Sequence, residues 1–222
     1  MGIISVEQLD RLYWLGRYVE RVYTTTCLYS TRYDIMIDGD STSYADFCRN
    51  LEIPNIYTSP EDFRYTYAYS EEDENSIFSN LNRAYDNAIE LRETIGSEAL
   101  SYIQLAIYDM NKAKISDAPL IDLQKVMDNL HAFWGVIDDE VDDERCRNTM
   151  LIGKRVERID LYGRLKLDRK AMTREVQRLA GRIDRSAIHY QKSMLEELQQ
   201  LVEAEPLDYH HIVQDVERIR CE

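Results

Sequence analysis

Glycine and proline, the residues that most readily interrupt a helix, occur only eight and four times in 222 residues. Leu, Glu, Arg, Ala and Gln are plentiful between them, which favours long helices with short connections over a turn-rich sheet protein. The chain therefore reads as all-α, a multi-helix bundle. Its length suffices for a sizeable core, and a single domain across 1–222 is expected.

Local signals place the helices. Ser5 and Gln8 have the spacing of a capping box, which starts a long helix running to about Ile37 and stopping at the Asp-Gly-Asp turn of 38–40. A short helix follows over 41–51. Ser59 caps the next helix and Pro60 takes its first position. The tract FRYTYAYS at 63–70 alternates with a strand-like period, yet no partner strand is evident, so it reads as helix or irregular chain. Asn75 opens a helix to Ile95, interrupted at Gly96 and restarted from Ser97 to Lys114. Leu123, Met127, Leu130, Trp134 and Ile137 recur at helical spacing within 119–141 and define a core face. Further helices are expected over 144–167, over 171–204 and, after Pro206, over 208–220.

Forty-one acidic residues against 27 basic ones give a formal charge of −14, which repels nucleic acid phosphate and anionic lipid. Neither nucleic acid nor membrane is expected as a partner, and no run approaches the ~20 apolar residues of a membrane span. Arginine outnumbers lysine 20 to 7, a bias that suits two-pronged pairing with partly buried carboxylates. Cys27, Cys48, Cys146 and Cys221 show no C-x-x-C spacing, and no secretory leader is apparent, so a cytoplasmic setting is expected. The opening MGIISV carries Val6 where a myristoylation motif wants Ser or Thr.

One motif is written twice. GRYVER at 16–21 and GKRVER at 153–158 share a Gly and a Glu-Arg pair, on what reads as a pseudo-repeated long helix carrying G-x-x-x-E-R. At about 100° per residue, Gly16 lies with Leu9, Leu12, Val19 and Cys27, and Glu20 falls inside that apolar stripe. Arg17 and Arg21 lie towards its border. In the second copy Gly153 lies with Met150 and Val156, and Glu157 occupies the equivalent inward sector, joined by Asp160 and Arg164 at i+3 and i+7 and flanked by Arg158. The first copy carries Tyr23 and Cys27 at those two places. Arg92 lies beside Leu91 in the apolar stripe of the 75–95 helix.

A buried carboxylate is costly unless paired, bonded, metal-bound or protonated. The expectation is a central cluster in which Arg92 and Arg164 meet Glu20 and Glu157, with Gly16 and Gly153 allowing close helix approach. Such a cluster is either a brace that fixes helix register or a site for a polar substrate or proton transfer.

Other chemistries find less support. The two Glu-x-x-His motifs of a dinuclear carboxylate centre are absent, Asp128 with His131 being the nearest match. His210 and His211 have no cysteine pair beside them, so no metal site is expected. The acidic tract 138–144 lacks the glycine of a calcium loop and reads as a solvated helix junction. No nucleophile elbow, phosphate-cradling loop or cofactor motif appears, and no cofactor is expected.

Taken together, LYWLGRYVER at 12–21, LIGKRVERIDLYGRL at 151–165 and DENSIFSNLNRAYDNAIELRETIGSEA at 73–99 resemble the bacterial alpha-E family, with Asn87, Ala88, Arg92, Glu93, Ser97 and Glu98 at recurrent positions of the central pattern. The resemblance implies an all-helical protein of a kind often encoded beside, or fused to, a circularly permuted ATP-grasp protein and a transglutaminase-like protease. It implies a setting of peptide or amide-bond formation and processing, in which this chain is an accessory that binds the ligase or its peptide substrate. An enzyme or metal-binding protein using the interior Glu/Arg cluster is the alternative.

Overall fold

The computed structural model describes residues 4–37 and 43–221. They form ten α-helices: α1 (Val6–Ile37), α2 (Ser43–Leu51), α3 (Pro60–Tyr69), α4 (Ile77–Glu90), α5 (Arg92–Lys114), α6 (Pro119–Glu140), α7 (Glu144–Arg164), α8 (Arg169–Ile183), α9 (Lys192–Leu201) and α10 (Tyr209–Arg218). Apart from one isolated antiparallel bridge between Tyr190 and Arg220, the described residues contain no β-structure. The protein is all-α. The expected turn at 38–40 lies outside the described residues.

The sequence reads as one domain; the residues group into two compact units, 4–17 with 142–221 and 18–37 with 43–141. Helix α1 contributes its first turns to the former and its remainder to the latter. It begins as expected, with the Gln8 amide donating to Ser5 Oγ at 3.1 Å.

In the unit of residues 18–141, α5 packs along α6, whose Leu123, Val126, Leu130, Phe133 and Ile137 are buried. The tract at 63–70 lies mainly on α3. Ser59 Oγ accepts from the Asp62 amide at 3.1 Å and Pro60 sits in the first turn, so local capping decides the matter. Phe63 and Tyr67, one turn apart, stack at 5.0 Å, and Phe47 of α2 meets both edge-on, building an aromatic core.

Between α4 and α5 the helix breaks at Leu91, five residues before the expected interruption at Gly96, which forms a second kink at φ 81°. Glycine tolerates that backbone because it has no Cβ. The break at Leu91 corrects the expectation for Arg92. A stripe counted continuously from Ile77 puts Arg92 inside, but the helix resets before it and Arg92 is exposed.

In the unit of residues 4–17 and 142–221, α7 to α10 and the start of α1 enclose a core of Tyr13, Val156, Met172, Val176, Leu198 and Val216. The acidic tract is the junction before α7, where Asp143 accepts from the amides of Arg145 and Cys146 at 2.9 and 3.1 Å. The single helix expected over 171–204 is two, α8 and α9. Tertiary partners take up the backbone groups that a continuous helix would have paired internally. The Asn148 side-chain amide donates to the Arg185 carbonyl and the Ala187 amide donates to Thr149 Oγ1 at 3.2 Å, while locally the Ser186 hydroxyl donates to the Ile183 carbonyl at 2.7 Å.

Candidate functional site

The repeated glycines meet in the unit of residues 4–17 and 142–221. A Cβ on Gly16 would stand 2.1 Å from the Met150 carbonyl oxygen, and one on Gly153 would stand 2.1 Å from that of Tyr13. The contacts are reciprocal. Each glycine rests on the carbonyl three residues before the other, and each faces the backbone nitrogen of the residue after the other, Lys154 and Arg17 at 3.2 Å. The two copies thus cross as a local pseudo-symmetric pair, close enough for backbone-to-backbone packing.

That approach brings Arg17 to α7. Its Nε donates to Glu157 Oε2 at 2.6 Å, and its Nη2 lies 3.7 Å from Asp160 Oδ2. Arg164 donates from Nε to Asp160 Oδ1 at 2.8 Å and from Nη2 to Glu217 Oε1 of α10 at 2.6 Å. An alternating chain of charge results, from the fully buried Glu157 through Arg17, Asp160 and Arg164 to the half-exposed Glu217. Burial and the neighbouring charge of Glu157 push the Asp160 carboxyl up to about 6, against the pull of Arg164 and Arg17. Burial works against the charge on Arg17, but Glu157, Tyr13 and Asp160 hold it protonated.

Arg17 also reaches an open cleft of about 530 Å³, lined by Val6, Asp10, Tyr13, Trp14, Arg17, Glu217 and Arg220. The Arg17 guanidinium lies 5.2 Å from the Trp14 ring centre and that of Arg220 lies 5.0 Å from the Tyr13 ring centre. Arg220 is also hydrogen-bonded to Asp10. The cleft therefore offers two aromatic walls, each with a stacked cation, and two carboxylates at its rim.

The Glu-Arg pair of the second copy serves two flanks of α7. Glu157 takes Arg17, while Arg158 lies 3.7 Å from Glu175 of α8. Glu175 is fully buried and also accepts from Arg155 at 2.7 Å and Arg178 at 2.8 Å. Burial alone would raise its pKa; Arg155, Arg158 and Arg178 carry it below the ordinary carboxylate range.

Of the residues singled out from sequence, Gly16, Arg17, Gly153, Glu157, Asp160 and Arg164 come together around this crossing, and Arg158 lies on the flank beside Glu175. Arg17 belongs inside, with Glu157, where the helical wheel puts it at the border; its long stem carries the guanidinium across the glycine contact. Glu20 is buried as expected and accepts from the Thr24 hydroxyl at 2.9 Å, within the unit of residues 18–141. Arg21 and Asn87 of that unit are half-buried. Asp128 accepts from Gln124 and His131 packs against Tyr23, so that pair serves other contacts. Tyr13, Trp14, Glu217 and Arg220 carry no spacing signal, because the cleft joins the start of α1 to the far end of the chain.

A family model described as "A predicted alpha-helical domain with a conserved ER motif" matches residues 8–196. The chain belongs to the Alpha-E family. No curated protein and no solved structure matches it. The Glu-Arg dipeptides at 20–21 and 157–158 fit the motif in the family's description. In the second of them this Alpha-E chain shows what the pair does physically, each residue anchoring α7 to a different neighbouring helix. Among the described residues no helix is long and apolar enough to cross a membrane.

Proposed function

We propose that this Alpha-E chain is a helical accessory protein of an amide-bond-forming system, binding an ATP-grasp ligase, a transglutaminase-like protein or their peptide substrate. The observation that carries this reading is the cleft of about 530 Å³ with Tyr13 and Trp14 under Arg220 and Arg17. Guanidinium groups stacked on rings present donors to carboxylates and peptide carbonyls, and the rings supply apolar contact. Asp10 and Glu217 at the rim suit an amine or peptide N–H. The described lining pairs aromatic rings with guanidinium and carboxylate groups, a combination suited to recognition of a peptide. Four free cysteines agree with a cytoplasmic setting.

The test is direct titration of the purified chain with an ATP-grasp ligase and a transglutaminase-like protein from the same organism, and with peptides that the ligase accepts. Binding that falls at least about tenfold in Trp14→Ala and Arg220→Ala is expected, as for contacts at the centre of an interface. Wild-type binding in both variants, or no binding to any of these, would overturn the proposal.

The alternative, an enzyme using interior charges, draws on Asp160, whose carboxyl burial and the charge of Glu157 push above the ordinary range, one ion pair away from the cleft. It requires turnover that Asp160→Asn abolishes while ligand binding persists.

A further inference from the structure

The unit of residues 4–17 and 142–221 holds a second group of titratable side chains, on α9 and α10. His211 and Asp215 stand one turn apart on α10, and Glu197 of α9 meets them. His211 Nε2 is 3.3 Å from Glu197 Oε1 and 3.7 Å from Asp215 Oδ1, and one potential ligand atom from each of the three residues lies within 4.8 Å of the others. We propose that Glu197, His211 and Asp215 bind a divalent transition-metal ion of the zinc class.

Geometry supports the assignment first. Ligand atoms at about 2.0–2.1 Å from a tetrahedral zinc stand about 3.3–3.4 Å apart, the separation already seen between His211 and Glu197. Asp215 Oδ1 stands 3.7 Å from His211 Nε2, a few tenths of an ångström beyond that spacing. The i and i+4 arrangement on one helix directs two ligands from one face, and a neighbouring helix provides the third.

Asp215 supplies an independent reason. Its side chain is 8% exposed, and its Oδ2 is buried with no hydrogen-bond partner among the described residues. An acceptor left in that condition costs about 1–3 kcal/mol, and more when charged. Two carboxylates converge on one imidazole, and a cation between them removes their repulsion and gives the under-bonded Asp215 carboxylate a partner.

The donor set selects the class of metal. One imidazole with two carboxylates suits zinc and its transition-metal neighbours, whereas magnesium and calcium favour oxygen ligands alone. Glu197 and His211 are half-exposed, which leaves an entry path and room for water in the remaining position. His210 hydrogen-bonds to Gln214 and stands outside the group.

The experiment is calorimetric titration of chelator-washed, full-length protein with zinc chloride, and with magnesium chloride in parallel. One zinc per chain is expected, with affinity at least about tenfold weaker in His211→Ala and in Glu197→Gln. His210→Ala should bind as wild type does, and magnesium should compete poorly. Both ligand variants alter half-exposed side chains, and their metal-free melting curves report that the fold persists. No binding of zinc up to about 100 μM, or equal binding in wild type and both ligand variants, would overturn the assignment and leave the group as an ordinary ion pair.

Discussion

The glycine crossing makes a prediction of sign as well as size. In Gly153→Ala the new Cβ would sit 2.1 Å from the Tyr13 carbonyl oxygen, where ordinary contact begins at 3.4 Å, so α1 and α7 must part by about 1.3 Å. The obstructing atoms are backbone, and no side chain can swing aside. Overpacking of this kind costs up to about 3 kcal/mol, and the better helix propensity of alanine returns about 1 kcal/mol. A net loss of about 2 kcal/mol lowers the melting temperature by about 4–8 °C in a chain of this size. Gly135→Ala on α6 and Gly181→Ala on α8 are the controls, because a Cβ at either meets nothing within 4 Å. They should raise the melting temperature by about 2–4 °C. Gly16→Ala should behave like Gly153→Ala, and the double variant should cost less than the two single losses together, since one parting of the helices accommodates both. Thermal unfolding followed by circular dichroism decides the matter. If Gly153→Ala melts at or above wild type while the controls behave as stated, the helices do not touch through these residues.

Removing the charge of Arg17 with Arg17→Met takes from the buried Glu157 its 2.6 Å cationic partner and from Asp160 its 3.7 Å one, and should cost about 3–5 kcal/mol in urea unfolding, part of it recovered on adding Glu157→Gln; wild-type stability in the single variant would show that this arginine does not hold the cluster. Asp160 sets a pH dependence of definite sign. Its folded carboxyl sits at about 6, above the ordinary 3.8, so the native state holds the proton more tightly. The resulting stabilisation is complete below about pH 4 and is lost as pH rises through about 6. Calorimetric melting across that range should show wild type falling relative to Asp160→Asn, and parallel curves would refute the assignment.

Much of the architecture was legible because local chemistry sets it. Ser5 with Gln8 and Ser59 with Pro60 mark helix starts that tertiary structure does not alter, and the stripe from Leu123 to Ile137 is buried as its period implies. The inward placement of Glu20 and Glu157 was likewise readable, since each lies on a helix whose phase runs unbroken past the motif. Phase failed where a helix resets. Leu91 breaks the count before Arg92, and the stretch around Ser186 leaves helical geometry because Asn148 and Thr149 bind its backbone from 37 and 38 residues away. Arg17 was misjudged for another reason, because a wheel places Cα atoms while a long guanidinium stem travels to its partner. The cleft and the His211 group were illegible in principle, since each depends on helices brought together from distant parts of the sequence.

The adjacent opposite charges at 157 and 158 also determine how α7 can turn about its own axis. Rotation by one residue in one sense would bring Arg158 to where Glu157 stands, facing Arg17, and leave Ile159 opposite Glu175. Rotation in the other sense would set Glu157 against Glu175 and Val156 against Arg17. Either slip replaces two attractions by one repulsion and one apolar mismatch against a buried carboxylate or a largely buried arginine. A Glu-Arg dipeptide with partners on two sides therefore acts as a rotational lock, excluding neighbouring registers that apolar side chains alone would tolerate.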